Sequence, residues 1–279
     1  MHKFLIRAAS GIIYAAVIVA AILGGQWSIY ALALVFSSIG VCELLHMSIG
    51  YSRRTLPIYI IQVLQVILFV TVIGLSLQLP IEWIGTLTIV FVLLLIPYYF
   101  FSRRILDVNL KKFLNSSMLK PIGYGVGYLG IPLALMVLCP LPRLALLVFV
   151  LLWINDSGAY IVGSLTGRHK LSPSISPNKT WEGFIGGCLL TVAGAVLLGN
   201  YCDDFFGLAD LTLLTWIMIG VITCVFGTIG DLLESKIKRF YSVKDSGHWI
   251  PGHGGILDRI DSFLIAYPFV AMMLLLILL

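Results

Sequence analysis

Asp231 and Glu234 stand three residues apart at the end of one apolar stretch, and Asp258 and Asp261 repeat that spacing at the start of another. Residues three apart share a helix face, so each pair would present its carboxylates side by side. Four carboxylates at one membrane level would repel strongly unless cations joined them. Hard oxygen ligands favour Mg²⁺, which keeps several waters and shares its shell with phosphates. Between the pairs lie Lys236, Lys238, Arg239 and Lys244. These can neutralise phosphate charge, and an arginine can grip two phosphate oxygens at once. Gly254 and Gly255 precede a helix start, where backbone donors could approach an oxyanion. Together these parts compose a site for phosphoryl or nucleotidyl transfer, chemistry that relies on positioning and charge stabilisation. Taken singly, Asp258 and Asp261 could merely favour a helix start, and Lys236 with Arg239 could mark a membrane face. That plainer account leaves their clustering unexplained.

A second cluster lies upstream. Asn155 and Asp156 follow LLVFVLLW, which places a carboxylate inside or at the inner margin of a helix, where charge is costly and usually functional. The alternative is a span that ends there, with Asp156 solvated. The segment GRHKLSPSISPNKTWEG at 167–183 then offers Arg168, Lys170 and Lys179 among Ser174, Ser176 and Thr180. Pro173 and Pro177 restrict its backbone, so it could form a preshaped anion cradle. The same cations could also serve only to mark topology. His248 and His253 invite a general-base role, but an ionised phosphate monoester needs no base to attack, so His253 is expected to donate to phosphate or shape its loop.

Other motifs favour structure over chemistry. Glu43 and His46 share a helical face and could be a functional pair, but an interfacial or interhelical hydrogen bond is the favoured reading. PIGYGVGYLG at 121–130 could expose N–H groups to an anion, but small residues also let membrane helices pack closely, and packing is favoured. GSLTGRHK at 163–170 lacks the order of a nucleotide phosphate loop. The five cysteines form no CxxC pair and read as small buried apolar residues, with neither a disulfide nor a zinc role expected.

The elements that must position these groups are membrane helices. Of 279 residues, 59% are hydrophobic and only 11% charged, against about a quarter charged in a soluble domain. Long unbroken apolar runs favour helices over the weak alternation of a barrel. The expectation is an all-α polytopic bundle, a single membrane domain over 1–279. About nine spans are expected, near 8–25, 27–49, 57–79, 81–101, 121–139, 142–163, 183–200, 209–232 and 260–279. Residues 1–154 would be scaffold and 155–279 the catalytic part, with cytoplasmic loops at 164–182 and 233–259. The first run, after Lys3 and Arg7, is expected to be a retained helix because no convincing small-residue cleavage site follows. A cytoplasmic N-terminus leaves 17 of the 18 Lys and Arg inside, all but Arg143, as the positive-inside rule requires. The net charge of +5 then argues for anionic lipid headgroups as neighbours, and against nucleic acid as a partner.

With these residues in view, SKIKRFYSVKDSGHWIPGHGGILDRID at 235–261 closely resembles the signature of phosphatidate cytidylyltransferases, also called CDP-diglyceride synthases. The likeness extends to GDLLESKIKR at 230–239 and more loosely to 155–183, whereas the N-terminal helices match only in type. The resemblance implies a reaction of CTP with phosphatidate giving CDP-diacylglycerol and pyrophosphate. It implies dependence on Mg²⁺, with a monovalent cation such as K⁺ assisting, and a homodimer. It points to Asp231 and Asp258 as metal ligands, with Lys238, Arg239, Lys244 and the His253 loop lining the phosphate site.

The full candidate set is as follows. Asp231, Asp258, Lys244, Lys238 and Arg239 are the expected catalytic residues. Ser176, Lys179, Lys236, His253, Gly254, Gly255, Arg259 and Asp156 are expected to bind substrate, and Asp261 is a third candidate metal ligand. The active site would face the cytoplasm from the inner membrane. The rival readings are another CTP-using membrane lipid transferase or kinase, or an ion-coupled transporter, whose charges would sit at the midplane instead of at helix ends.

Overall fold

The computed structural model describes residues 2–49, 64, 125–252 and 254–278. Leu64 apart, the expected spans at 57–79 and 81–101 and the polar segment at 102–120 lie outside the described residues. Six described helices are long and apolar enough to cross a membrane. They are α1 (His2–Leu23), α2 (Gln26–Ile49), α4 (Leu144–Thr166), α5 (Trp181–Tyr201), α7 (Leu213–Phe240) and α8 (Leu257–Leu278). The expected span at 121–139 is described from Gly125, as a π-helical stretch Gly125–Gly130 that runs into the short α3 (Ile131–Leu138). There Leu129 is fully buried and approaches Gly40 of α2. A one-turn helix, α6 (Asp203–Phe206), completes the helices among the described residues.

Two features correct the expected pattern. The segment at 164–182 holds a hairpin, β1 (Lys170–Ser172) antiparallel to β2 (Ser176–Thr180), with Lys170 opposite Thr180. Among the described residues the all-α expectation fails here because Pro173 and Pro177 disfavour helix. The second correction concerns 233–259, whose first eight residues continue α7. Leu233 and Ile237 still pack on the core, and Glu234 pairs with Lys238 one turn on, so the helix persists through charged sequence.

α8 is the central helix. Ile260, Leu264, Tyr267, Val270 and Leu274 have no exposed surface, and Phe263 stacks on Phe149 of α4 with ring centroids 4.1 Å apart. The outer faces stay apolar, as at Ile12, Ile13 and Val17 of α1 and Leu189 and Leu197 of α5, which suits a surface solvated by lipid tails. Glycines allow the closest seams. A Cβ on Gly230 of α7 would stand 2.6 Å from the Asp261 carbonyl oxygen of α8.

Helix ends sort to two sides. On one, Ser10 Oγ donates to the Pro251 carbonyl at 3.0 Å and Tyr14 Oη donates to the Arg259 carbonyl at 3.0 Å. There the start of α1, the end of α2, the hairpin and the loop joining α7 to α8 gather. On the other, Arg143 Nη1 donates to the Phe205 carbonyl at 2.6 Å.

Candidate active site

The site grows from the end of α7 and the start of α8. Glu234 is fully buried, and the Lys238 ammonium sits between it and Asp258, 2.6 Å from Asp258 Oδ1. The other Asp258 oxygen, Oδ2, accepts from Ser246 N at 2.9 Å, Ser246 Oγ at 3.0 Å and Gly255 N at 2.8 Å. One carboxylate thus joins α7, the connecting loop and α8. Gly254 takes a positive φ of 82°, a conformation that glycine adopts without steric cost.

Asp231, one turn before Glu234, holds the Lys179 ammonium from β2 and accepts from Ser235 Oγ at 3.3 Å. The hairpin therefore delivers a cation to α7. Its base is fixed where Thr180 caps α5, accepting from Gly183 N at 3.2 Å. Asp261 is 8% exposed and accepts from Ser262 N at 2.7 Å. The charges of Asp231 and Asp156 both act on it. Asp156 lies in mid-helix, since α4 runs ten residues past it to Thr166. Its side chain is exposed, opening on one cavity that also holds Arg259 and on another that also holds Lys179 and Asp231.

The first cavity, about 280 Å³, is walled by Ser10, Tyr14 and Phe149 and reaches Asp156, Asp258 and Asp261. The second, about 480 Å³, lies under the hairpin between Tyr160, Lys179, Asp231 and Asp156. A third, about 520 Å³, is rimmed by Arg7, Lys244, His248 and Arg259 with Asp245.

The chain spans about half the length of the curated relatives it matches. The phosphatidate cytidylyltransferase of Staphylococcus aureus strain COL is 50% identical over 130 residues, 45% of this chain and 46% of the relative. Its counterpart in Staphylococcus epidermidis is 46% identical over 132 residues, 47% and 49% of the two chains. That in Staphylococcus haemolyticus is 45% identical over 126 residues, 45% and 46% of the two. The sequence model of the cytidylyltransferase family matches residues 5–277. The chain belongs to the cytidylyltransferase family.

Most of the residues expected from sequence are brought together in this member of the family. Asp156, Lys179, Asp231, Lys238, Asp258, Arg259 and Asp261 adjoin one another or share a cavity. Lys244 and Gly254 stand on the third cavity beside Arg259, and Gly255 serves through its backbone N–H. Arg239 points elsewhere: its Nε donates to the Ile175 carbonyl at 3.3 Å and Nη1 to the Val243 carbonyl at 3.2 Å, so it braces the hairpin against the loop. Ser176 and Lys236 line none of the three cavities. His253 lies outside the described residues.

Two contributors, Ser246 and Tyr14, have no role expected from sequence, and a third, Glu43, is expected only to form an interfacial or interhelical hydrogen bond. Ser246 bridges two carboxylates, Tyr14 walls the first cavity, and Glu43 reaches across from α2. Only Glu43 carried a signal, as a carboxylate in an apolar span, and its partners are the Ile256 and Leu257 N–H groups at the start of α8 and the Ser246 hydroxyl.

Five carboxyl groups, Asp156, Asp231, Glu234, Asp258 and Asp261, lie with three cations, Lys179 and Lys238 ion-paired among them and Arg259 on the cavity that Asp156, Asp258 and Asp261 line. Two negative charges are left over when all are ionised. Among the described residues no three His, Cys, Asp or Glu form a closed metal cage. An oxygen-only donor set with this deficit suits Mg²⁺, which binds through one or two carboxylates and fills its shell with water and substrate phosphate. The residues present therefore fit the ion.

Proposed function

We propose that this cytidylyltransferase joins CTP to phosphatidate, giving CDP-diacylglycerol and pyrophosphate. The observation that carries the reading is the meeting of Asp156, Asp231, Asp258 and Asp261 with Lys179 and Lys238 at one end of an apolar bundle. A lipid with an anionic head and a soluble polyanion can meet only where hydrocarbon ends. The names of the relatives supply the substrate pair. The Lys and Arg distribution supports a cytoplasmic site in the inner membrane.

In the reaction, a phosphatidate oxygen attacks the α-phosphorus of CTP in line. The bond from that phosphorus to the bridging oxygen of the β-phosphate breaks, and pyrophosphate leaves with the electron pair. Mg²⁺ would be held by Asp231 and Asp258, with Asp261 beside them, and would screen the charge that gathers on the phosphates. Lys179 and Lys238 stand against the same carboxylates, ready to neutralise phosphate oxygens. Arg7, Lys244 and Arg259 rim a cavity suited to the lipid phosphate.

Purified protein in detergent is expected to convert labelled CTP and phosphatidate to CDP-lipid with release of pyrophosphate, to stop with a chelator and to resume with Mg²⁺. Release of CDP or CMP in its place, or a requirement for sealed vesicles, would overturn the reading. Lys179→Ala is expected to lower kcat/KM for CTP about 10- to 100-fold, since hydrogen bonds to charged groups contribute roughly 1.5–3 kcal/mol. An unchanged value in steady-state kinetics would remove the hairpin from the site.

A further inference from the structure

The loop that carries Asp258 is held from a second side. Glu43 of α2 is 1% exposed and accepts from Ile256 N at 2.9 Å, Leu257 N at 2.8 Å and Ser246 Oγ at 3.0 Å. The first two are donors at the start of α8, where backbone N–H groups lack partners within the helix. Ser246 Oγ stands equally far, 3.0 Å, from Asp258 Oδ2, so one hydroxyl proton is shared between a carboxylate of the scaffold and one of the site. The fit is close: a Cβ on Gly255 would lie 2.5 Å from each Glu43 oxygen.

We infer that Glu43 is a positioning residue for the transfer reaction, holding the 246–257 loop so that Asp258 keeps its place against Lys238. The inference rests on the proposed function for the role of Asp258 and adds to it a residue from the N-terminal helices. A carboxylate suits the task because it only accepts. Glutamine there would turn its NH₂ group toward the Ile256 donor or toward the Leu257 and Ser246 donors, leaving at least one of them unmatched.

The test uses the full chain in detergent, comparing Glu43→Gln with the parent by hydrogen exchange and steady-state kinetics. Exchange of the 246–257 amides should speed at least ~10-fold while the first half of α4 is unchanged, as for a local opening. The value of kcat should fall about 10- to 100-fold with KM for CTP within roughly threefold, the pattern of a lost transition-state arrangement. Loop exchange that stays at the parental rate, exchange that rises equally in every helix, or an unaltered kcat would each overturn the inference. Ser246→Ala removes only the shared hydroxyl and is expected to show the same pattern at smaller amplitude. It replaces Glu43→Gln if that variant does not accumulate, and parental exchange and kcat in it would count equally against the inference. A parent protein that makes no CDP-lipid sinks the proposed function instead, while the exchange comparison still decides whether Glu43 holds the loop.

Discussion

Asp258→Asn is expected to lower CTP-dependent product formation by at least ~1,000-fold, about 4 kcal/mol of transition-state stabilisation. Asp258 takes the Lys238 ammonium on one oxygen and three donors on the other. An asparagine has one oxygen to offer. Whichever way the amide turns, its NH₂ group meets either the ammonium or the Ser246 and Gly255 donors, and a buried donor facing a donor is costly. The substitution also removes the negative charge to which Mg²⁺ would bind. Its volume is nearly unchanged, so the variant should insert and purify as the parent does. Turnover measured as pyrophosphate release decides the matter, and near-parental turnover would refute the role given to Asp258.

Gly230→Ala should be nearly as damaging, by a different route. The added methyl would lie 2.6 Å from the Asp261 carbonyl oxygen and 3.0 Å from Ser262 Cα. Both are backbone atoms, so no rotamer change relieves the clash and α7 must part from α8. Overpacking of this kind costs about 3 kcal/mol. The parting also moves Asp231 away from Asp258 and Asp261, and a misplacement of ~1 Å can lower a rate about 100-fold. A lower thermal midpoint in detergent together with a lower kcat is the expected result. Parental values of both would show that the two helices do not approach so closely.

These effects mark where sequence reading carries and where it stops. Charge in apolar sequence is a local signal, so Asp231, Asp258 and Asp261 announce themselves, and the described spans fall close to their expected positions. The end of α7 was hidden because Glu234, Lys236, Lys238 and Arg239 look like a solvated loop, and only the partners of Leu233 and Ile237 in the core reveal a helix. The hairpin was hidden because pairing of Lys170 with Thr180 is a fact about two segments, whereas Pro173 and Pro177 advertise only restriction. Glu43 was the hardest to place, since its partners lie more than 200 residues away in the chain. The domain organisation drawn from sequence put 1–154 aside as scaffold. Ser10, Tyr14 and Glu43 show that α1 and α2 also wall or brace the site.

The position of Asp156 between two cavities bears on the order of events. One chamber opens beside α1 and the other beneath the hairpin, and the carboxylate stands at their common boundary. Under the proposed function each reactant has its own chamber, the lipid head reaching the first from the adjoining cavity that shares Ile250 and Arg259 with it, and neither must vacate before the other arrives. Such an arrangement suits the direct in-line displacement proposed above, in which both reactants are bound at once.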